Sequence, residues 1–549
     1  MTKSLLIVLS FLFVFQYSNS QSNEEKGLEA INKEVLRGQL EFLASDWMEG
    51  RNTAEKGAFM AADYIASMFR VYGLKPGGDM AWVRPSRDER AKGKKAYQET
   101  TFFQNFPLIQ YHEGEEQRFS IIEEGKHGEK RYDLSYQTDF DVDIASHGIE
   151  CNAPLVFVGY GYVNVELAYD DYKGLDVKGK IIVRLKGMPG YKDKTSVAYE
   201  KMMPKGRYAM WSINRKKDEV AAQKGALAII EIEPGEDDML AWAQNTPFHH
   251  KSETYQGPKK REPYKRLRAP GIELGNGLTN VTLSARASQK LFEGHAFDFK
   301  KYELQAARMI KQKGFALNKS VQIKTTVESK VLQARNVIGV IEGEKTDEYI
   351  FVGAHYDHLG VKNGFIYNGA DDNGSGTVGI MSIAKAVMAT GKKPEKTIVF
   401  AAWTGEEKGL IGSRYFCENP TVPLEQIKYY ANYDMISRNV KDTAGVKCFY
   451  SYTKAVKSLK DISEEHIKTY DLKLELKYRP MVGASGGSDH RSFAGKSIPV
   501  TCMITGLHDD YHTPKDVLQR VNYDKMHEVV KLGFLNVWRF ANDASLLPK

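Results

Sequence analysis

The chain has 549 residues, 42% hydrophobic and 27% charged, with a net charge of +7 at pH 7. That length exceeds one ordinary core and points to about three domains, and the composition is ordinary for a soluble globular protein. The charge is small for the length. The basic stretches 84–95 (RPSRDERAKGKK) and 259–268 (KKREPYKRLR) are interrupted by Pro, Gly or acids, so they read as solvated loops and no nucleic-acid partner is expected.

Residues 1–20 carry Lys3, an apolar core over 5–15 and the small triplet Ser18-Asn19-Ser20, the layout of a cleaved secretory signal. An apolar stretch of that length is too short to span a bilayer, and no later stretch is long enough either, so a secreted or periplasmic protein without stable membrane insertion is expected. Four cysteines (Cys151, Cys417, Cys448, Cys502), none in a CxxC pair, are too sparse for a disulfide scaffold or a thiolate zinc site. One bridge would be compatible with an oxidising compartment. The sequence specifies no oligomeric state.

From 28 to 74 the spacing predicts two helices around a turn at Glu49-Gly50-Arg51, with Gly73 as the closing cap. A short apolar strand follows at 102–108. From about 140 the period changes to two: LVFVGYG (155–161), KIIVRL (180–185) and ALAIIEI (226–232) read as strands separated by Gly-rich turns. They predict a separate, mostly β unit over 140–290 that acts as a lid or spacer and carries no chemistry.

Beyond 297, strands and helices alternate. Strands are predicted at 337–341, 349–352, 397–403 and 430–435, and helices at 376–390 and 523–541. This is the pattern of an α/β sheet, mixed and mostly parallel, covered by helices on both faces. In such sheets ligands sit beyond the carboxyl ends of the strands. Five polar stretches fall there or at helix starts: AHYDH (354–358), GADDNGSG (369–376), GEEKG (405–409), NYDM (432–435) and YHTP (511–514). Each alone is a weak signal. Together they place many acids at buried strand ends, where desolvation is costly and like charges repel. A divalent cluster resolves that cost, because imidazole and carboxylate donors suit zinc and a shared carboxylate can hold two ions roughly 3.5–4 Å apart.

These stretches also resemble the M28 family of zinc exopeptidases, the co-catalytic aminopeptidases, and within it the members with an inserted protease-associated (PA) domain. LEFLASDWMEGR, AADYIASMF and YGLKP resemble that family's N-terminal segment; VFVGYGY, YDDYKGLDVKGKIIV and AAQKGALAIIEI resemble the PA domain. HYDHLG, NGADDNGSG, TGEEKGLIGS, NYDM, SDHRSF and YHTPKD resemble the catalytic core in order. The resemblance implies a zinc exopeptidase fold divided into a signal peptide (1–20), an N-terminal segment of the peptidase domain (21–139), a PA insertion (140–290) and a catalytic core (291–549). It implies two Zn2+ per chain held by His355, Asp372, Glu407, Asp434 and His512. Asp372 would bridge; Glu407 with one histidine would complete one ion, and Asp434 with the other histidine the second.

Asp357 would then hold the far nitrogen of His355. Glu407 offsets its desolvation by binding metal, while Glu406 stays free to hold the attacking water as general base. Gly405 and Gly409 would let the backbone approach the cluster closely. Tyr511 is an oxyanion donor or a packing aromatic, and GGSDH (486–490) resembles a loop and helix start that borders the substrate pocket in that family, as pocket wall only. Asp371 and His358 are read as neighbours of ligands, His358 as part of its loop. The implied activity is removal of N-terminal residues from peptide substrates. A carboxypeptidase or dipeptidase of the same family is the alternative, and a catalytically retired binding protein a third.

Overall fold

The computed structural model describes residues 21–548 apart from 126–127, 144–146, 205–208, 234–264, 273–277, 363 and 441–444. The segment read as a secretory signal lies outside the described residues. Among them, no helix is long and apolar enough to cross a membrane.

The C-terminal half is built on a mixed sheet. Across it follow the strands Glu475–Met481, Lys447–Thr453, Val500–Ile504, Ile427–Tyr433, Lys345–His355, Lys396–Trp403 and Phe315–Ile341. The four from Val500–Ile504 to Lys396–Trp403 run parallel. The sequence Ile398-Val399-Phe400-Ala401-Ala402-Trp403 shows why this region is buried on both faces. Ile398, Phe400 and Ala402 enter a core with Phe69, Val378, Ile383 and Phe534, while Val399, Ala401 and Trp403 pack with Phe351, Phe416 and Phe493 on the other side. Alternate side chains of a strand leave opposite faces, so a continuous apolar run marks a strand covered twice. The helices Gly376–Ala389 and Tyr523–Asn542 supply most of the first cover. Met388, in the last turn of the former helix, is 38% exposed.

A second core gathers side chains from Phe119 to Ile323, beyond both limits of the 140–290 unit. Its strands Ile149–Phe157, Ile181–Leu185, Ala228–Ile232 and Thr279–Leu283 are parallel. The region holds more helix than its strand-rich pattern predicts, notably Ala209–Gln223, whose apolar positions are diluted by charge. Two long strands, Phe103–Gly125 and Phe315–Ile341, pair antiparallel almost throughout and carry the chain from one core to the other. The short strand expected at 102–108 is thus the apolar end of this ribbon; its continuation YHEGEEQR is polar and half-exposed, so it lacked an apolar signal. The basic stretches also differ from simple loops. Arg87–Ala91 forms one helical turn with a Ser86–Glu89 capping box, and Lys265–Arg268 pairs as an edge strand with residues 109–112.

Candidate metal centre

Three parallel strands end level with one another, His355 opposite Trp403 and Gly353 opposite Asn432. Their carboxyl ends therefore deliver His355, the Thr404–Glu407 turn and Asp434 to one place. Asp372 arrives from the turn that starts the helix Gly376–Ala389, and His512 from the loop after Val500–Ile504. The structure thus brings together all five sequence-derived donors.

They divide into two groups. In the first, His355 Nε2 lies 3.5 Å from Asp372 Oδ1 and 3.4 Å from Asp434 Oδ1. In the second, His512 Nε2 lies 3.1 Å from both Asp372 Oδ2 and Glu407 Oε2. Asp372 turns one oxygen to each group. A tetrahedral ion with bonds of about 2.0–2.1 Å sets its ligand atoms roughly 3.3–3.4 Å apart, so these separations fit a shared centre. Asp372 Oδ2 and His512 Nε2 find no hydrogen-bond partner although they are enclosed. Buried polar atoms without partners are uncommon, and here they converge. The nitrogen and oxygen donors fit zinc.

His358 enters differently from the expectation that it belongs only to its loop. It is fully buried, and its Nδ1 lies 2.8 Å from Glu407 Oε1 and 3.7 Å from Asp372 Oδ2. Proximity alone groups it with those acids as a possible donor. The shorter distance is a hydrogen bond rather than a ligand edge: Nδ1–H donates to the Glu407 oxygen that faces away from His512. Burial lowers its pKa to about 3, so it is a neutral ring.

Asp357 also differs from its expected role. His355 Nδ1 donates to the backbone carbonyl of Asp357 at 3.1 Å, while the carboxylate stands 3.8 Å away. That carboxylate accepts from Thr53 Oγ1 at 2.7 Å and from the Glu406 backbone N–H at 3.2 Å. The residue still fixes the His355 tautomer, through its main chain, and its side chain anchors the glutamate turn instead.

Gly405 adopts φ 76°, and a Cβ there would meet Ile411 Cβ at 3.2 Å. Its service is a left-handed turn against a neighbouring helix, not the close approach to the cluster expected of it. Glu406 follows with its Oε2 3.9 Å from His355 Nε2, farther than either donor of that group. Two residues bearing side chains, Met435 (φ 56°) and His512 (φ 57°), also take left-handed backbone at the site. Such strain persists where surrounding contacts fix it.

The electrostatics are those of an anionic nest. Burial raises Glu406 well above the ordinary carboxylate range, helped by Glu407 and Asp434. Burial and Glu407 lift Asp372 to about 7. Against burial, His512 and His358 hold Glu407 well below its usual value. Burial pulls the imidazoles down, yet the surrounding carboxylates raise His355 well above its ordinary value and His512 to about 9. Protons share the space that a divalent cation would neutralise.

Around this centre, Asp371 turns away, its Oδ1 accepting from Ser437 N (2.8 Å), Ser437 Oγ (2.7 Å) and Ser375 Oγ (3.0 Å). Tyr511 stacks on His512 with centroids 3.7 Å apart, and burial with Asp372 and Glu407 keeps its phenol protonated and able to donate. Ser488, Asp489 and His490 run inward beneath Asn432, whose Nδ2 donates to Ser488 Oγ at 2.9 Å; the preceding residues 482–487 are exposed. Sequence reasoning missed three supports: Arg51, Thr53 and Asp516. Asp516 accepts from the backbone N–H of Asp371 at 3.0 Å and of Asp372 at 2.9 Å, aiming the shared carboxylate. Its place in YHTPKD, two residues after a proline, was the available signal.

Residues 336–535 match the profile of Peptidase family M28. A glutamate carboxypeptidase 2 homolog of Caenorhabditis elegans is 38% identical over 133 residues, 23% of this chain and 16% of that protein. Leucine aminopeptidase 2 of Trichophyton rubrum is 31% identical over 188 residues, 33% of this chain and 35% of that protein. The chain therefore spans only a minor part of either curated relative. Among solved structures, the aminopeptidase from Aneurinibacillus sp. strain AM-1 aligns over 96% of this chain and 98% of its own, with a TM-score of 0.56 and 18% identity. BSAP, a zinc aminopeptidase from Bacillus subtilis, aligns over 94% and 98%, with a TM-score of 0.51 and 17% identity. These two likenesses establish the fold.

Proposed function

We propose that the chain, whose residues 336–535 match the profile of Peptidase family M28, is a zinc-dependent aminopeptidase removing single residues from the N-terminus of peptides. The observation that carries the reading is the division of one buried carboxylate, Asp372, between two donor groups 3.5 and 3.1 Å away. His355 and Asp434 would hold one zinc, Glu407 and His512 the other, with Asp372 common to both. When bound, the pair supplies Lewis acidity that lowers the pKa of water and polarises the scissile carbonyl.

The chain's own residues do the rest. Glu406, standing off from both donor groups, takes the proton of the attacking water and returns it to the leaving amine. Asp357 holds the turn that aims Glu406, through the backbone N–H at 3.2 Å. Tyr511, protonated beside His512, donates to the oxyanion that develops on the carbonyl. His358 fixes Glu407 so that its other oxygen faces His512.

The direction of attack rests on the leucine aminopeptidases among the relatives. The glutamate carboxypeptidase 2 homolog favours a second reading, a carboxypeptidase or dipeptidase. A retired binding protein is disfavoured because every donor is present. The domain division into 21–139, a PA insertion over 140–290 and a core over 291–549 belongs to this proposal, as do two zinc ions per chain and export after cleavage near residue 20. A peptide panel decides the direction: acetylating the N-terminus should block cleavage and amidating the C-terminus should not. The opposite pattern transfers the assignment to the carboxypeptidase reading.

A further inference from the structure

The donor strands all lie within residues 336–535, but the loops that carry His355 and Asp372 are tied down from far upstream. Arg51 is 1% exposed, and its guanidinium is spent entirely on main-chain carbonyls. Nε donates to Tyr356 O at 2.7 Å, Nη1 to Leu43 O at 2.6 Å and Asn368 O at 2.7 Å, and Nη2 to Gly369 O at 2.9 Å. Tyr356 sits between His355 and Asp357, and Gly369 opens the turn to Asp372, so one planar cation spans both donor loops. The adjoining residues add to the hold. Thr53 Oγ1 donates to Asp357 Oδ2 at 2.7 Å, the Arg51 carbonyl accepts from His358 N at 3.2 Å, and Asn368 Nδ2 donates to Asp46 Oδ1 at 2.7 Å.

The backbone here is bent to serve this. Glu49, Gly50 and Arg51 take successive left-handed φ values of 47°, 64° and 50°. A Cβ on Gly50 would lie 2.4 Å from Tyr367 O, so the turn is pressed against the loop that leads to Asp372. Left-handed residues with side chains, here Glu49 and Arg51 on either side of Gly50, are costly and survive where neighbours over-determine them. A buried guanidinium with every contact a charge-assisted bond to a carbonyl is a rigid, directional brace, which an ammonium cannot reproduce.

We infer that Arg51 and Thr53 are positioning residues of the metal centre, an N-terminal brace that holds the His355 and Asp372 loops at the separation two ions require. The inference rests on the two-metal reading above. Arg51 sets the spacing of the two loops, and Thr53, through Asp357, sets the turn bearing Glu406.

The test uses the full chain freed of metal, with zinc affinity read by competition against a chromophoric chelator and site geometry read from the visible spectrum of the cobalt(II) form. Thr53→Val removes one donor at nearly constant volume, and Arg51→Lys keeps the charge while losing the planar fork. Outer partners of metal ligands commonly govern about 10–100-fold in affinity or activity. Each variant should bind zinc at least about tenfold more weakly, with altered cobalt band intensities and a fall in kcat at constant KM. Near-UV circular dichroism of the metal-free form should stay that of wild type. Unchanged zinc affinity and cobalt spectra in folded variants overturn the inference. Should Arg51→Lys fail to fold, Thr53→Val alone decides on the same two readings. A wild-type chain that binds no zinc refutes the metal-centre reading itself, and this inference with it.

Discussion

Glu406 and Glu407 are adjacent in sequence, yet they should fail in different ways. Glu407 Oε2 is 3.1 Å from His512 Nε2, within a ligand edge, whereas Glu406 Oε2 stands 3.9 Å from His355 Nε2, outside one. Glu406→Gln preserves shape and removes only the proton carrier. Loss of a general base lowers kcat by at least ~100-fold, about 2.7 kcal/mol of transition-state stabilisation, while zinc content stays at the wild-type level. Glu407→Gln replaces an anionic donor, held ionised by His512 and His358, with a neutral amide. Zinc affinity should then fall by more than the ~10–100-fold typical of outer partners, and added zinc should restore part of the rate. The assay pairs atomic emission for zinc, after dialysis against graded chelator, with initial rates on an unblocked peptide. A Glu406→Gln protein that loses zinc beside a Glu407→Gln protein that keeps it would reverse the roles. Two fully active variants would remove the cluster from the chemistry altogether.

Zinc binding should release protons below about pH 9, since His512 is raised to about 9 and must be neutral to coordinate; calorimetry in buffers of different ionisation enthalpy measures the release, and a buffer-independent heat contradicts it. His358→Ala frees the outer oxygen of Glu407 and should weaken zinc by ~10–100-fold, less than Glu407→Gln; chelator competition equal to wild type would show that the hydrogen bond is idle. In the second core, burial raises Asp171 from 3.8 to about 7, so its folded form holds a proton the unfolded chain has shed. Its stabilising contribution is complete below about pH 4 and is lost as pH rises through about 7; denaturant midpoints should show this slope in wild type and lack it in Asp171→Asn. Phe400→Ala opens a cavity in the main core and should cost about 3–5 kcal/mol by denaturant unfolding, a loss below ~1 kcal/mol being incompatible with its complete burial.

The sheet that carries the donors was legible because its physics is local. An unbroken run such as Thr397–Trp403 can be buried only as a doubly covered strand, and acids placed directly after it need a counter-charge. The same logic located the five polar stretches; the resemblance to the M28 family then singled out His355, Asp372, Glu407, Asp434 and His512 within them, but not which histidine accompanies which acid, because that is set by strand order. His358 was misjudged for a related reason: an imidazole next to a donor reads alike as ligand, loop or hydrogen-bond partner until a distance separates them. Arg51 was invisible in a stronger sense. Its partners are carbonyl oxygens, which every residue type possesses, and Tyr356 lies 305 positions away. The second half of the Phe103–Gly125 strand was missed because residues half-open to water need not alternate.

The ribbon formed by Phe103–Gly125 and Phe315–Ile341 has a consequence for biosynthesis. Its first strand emerges from the ribosome some 190 residues before the second (315 against 125), an interval of roughly 10–40 s at 5–20 residues per second. Until then the strand has one long edge unpaired, and Leu36, Ile65 and Phe69 of the N-terminal helices have no sheet to pack on. Nascent chains are therefore at their most aggregation-prone while the intervening region is being made, and a holding chaperone acts to greatest effect in that window. A ribosome stall placed after residue 341 should release the chain from chaperone-dependent solubility sooner than one placed before 315.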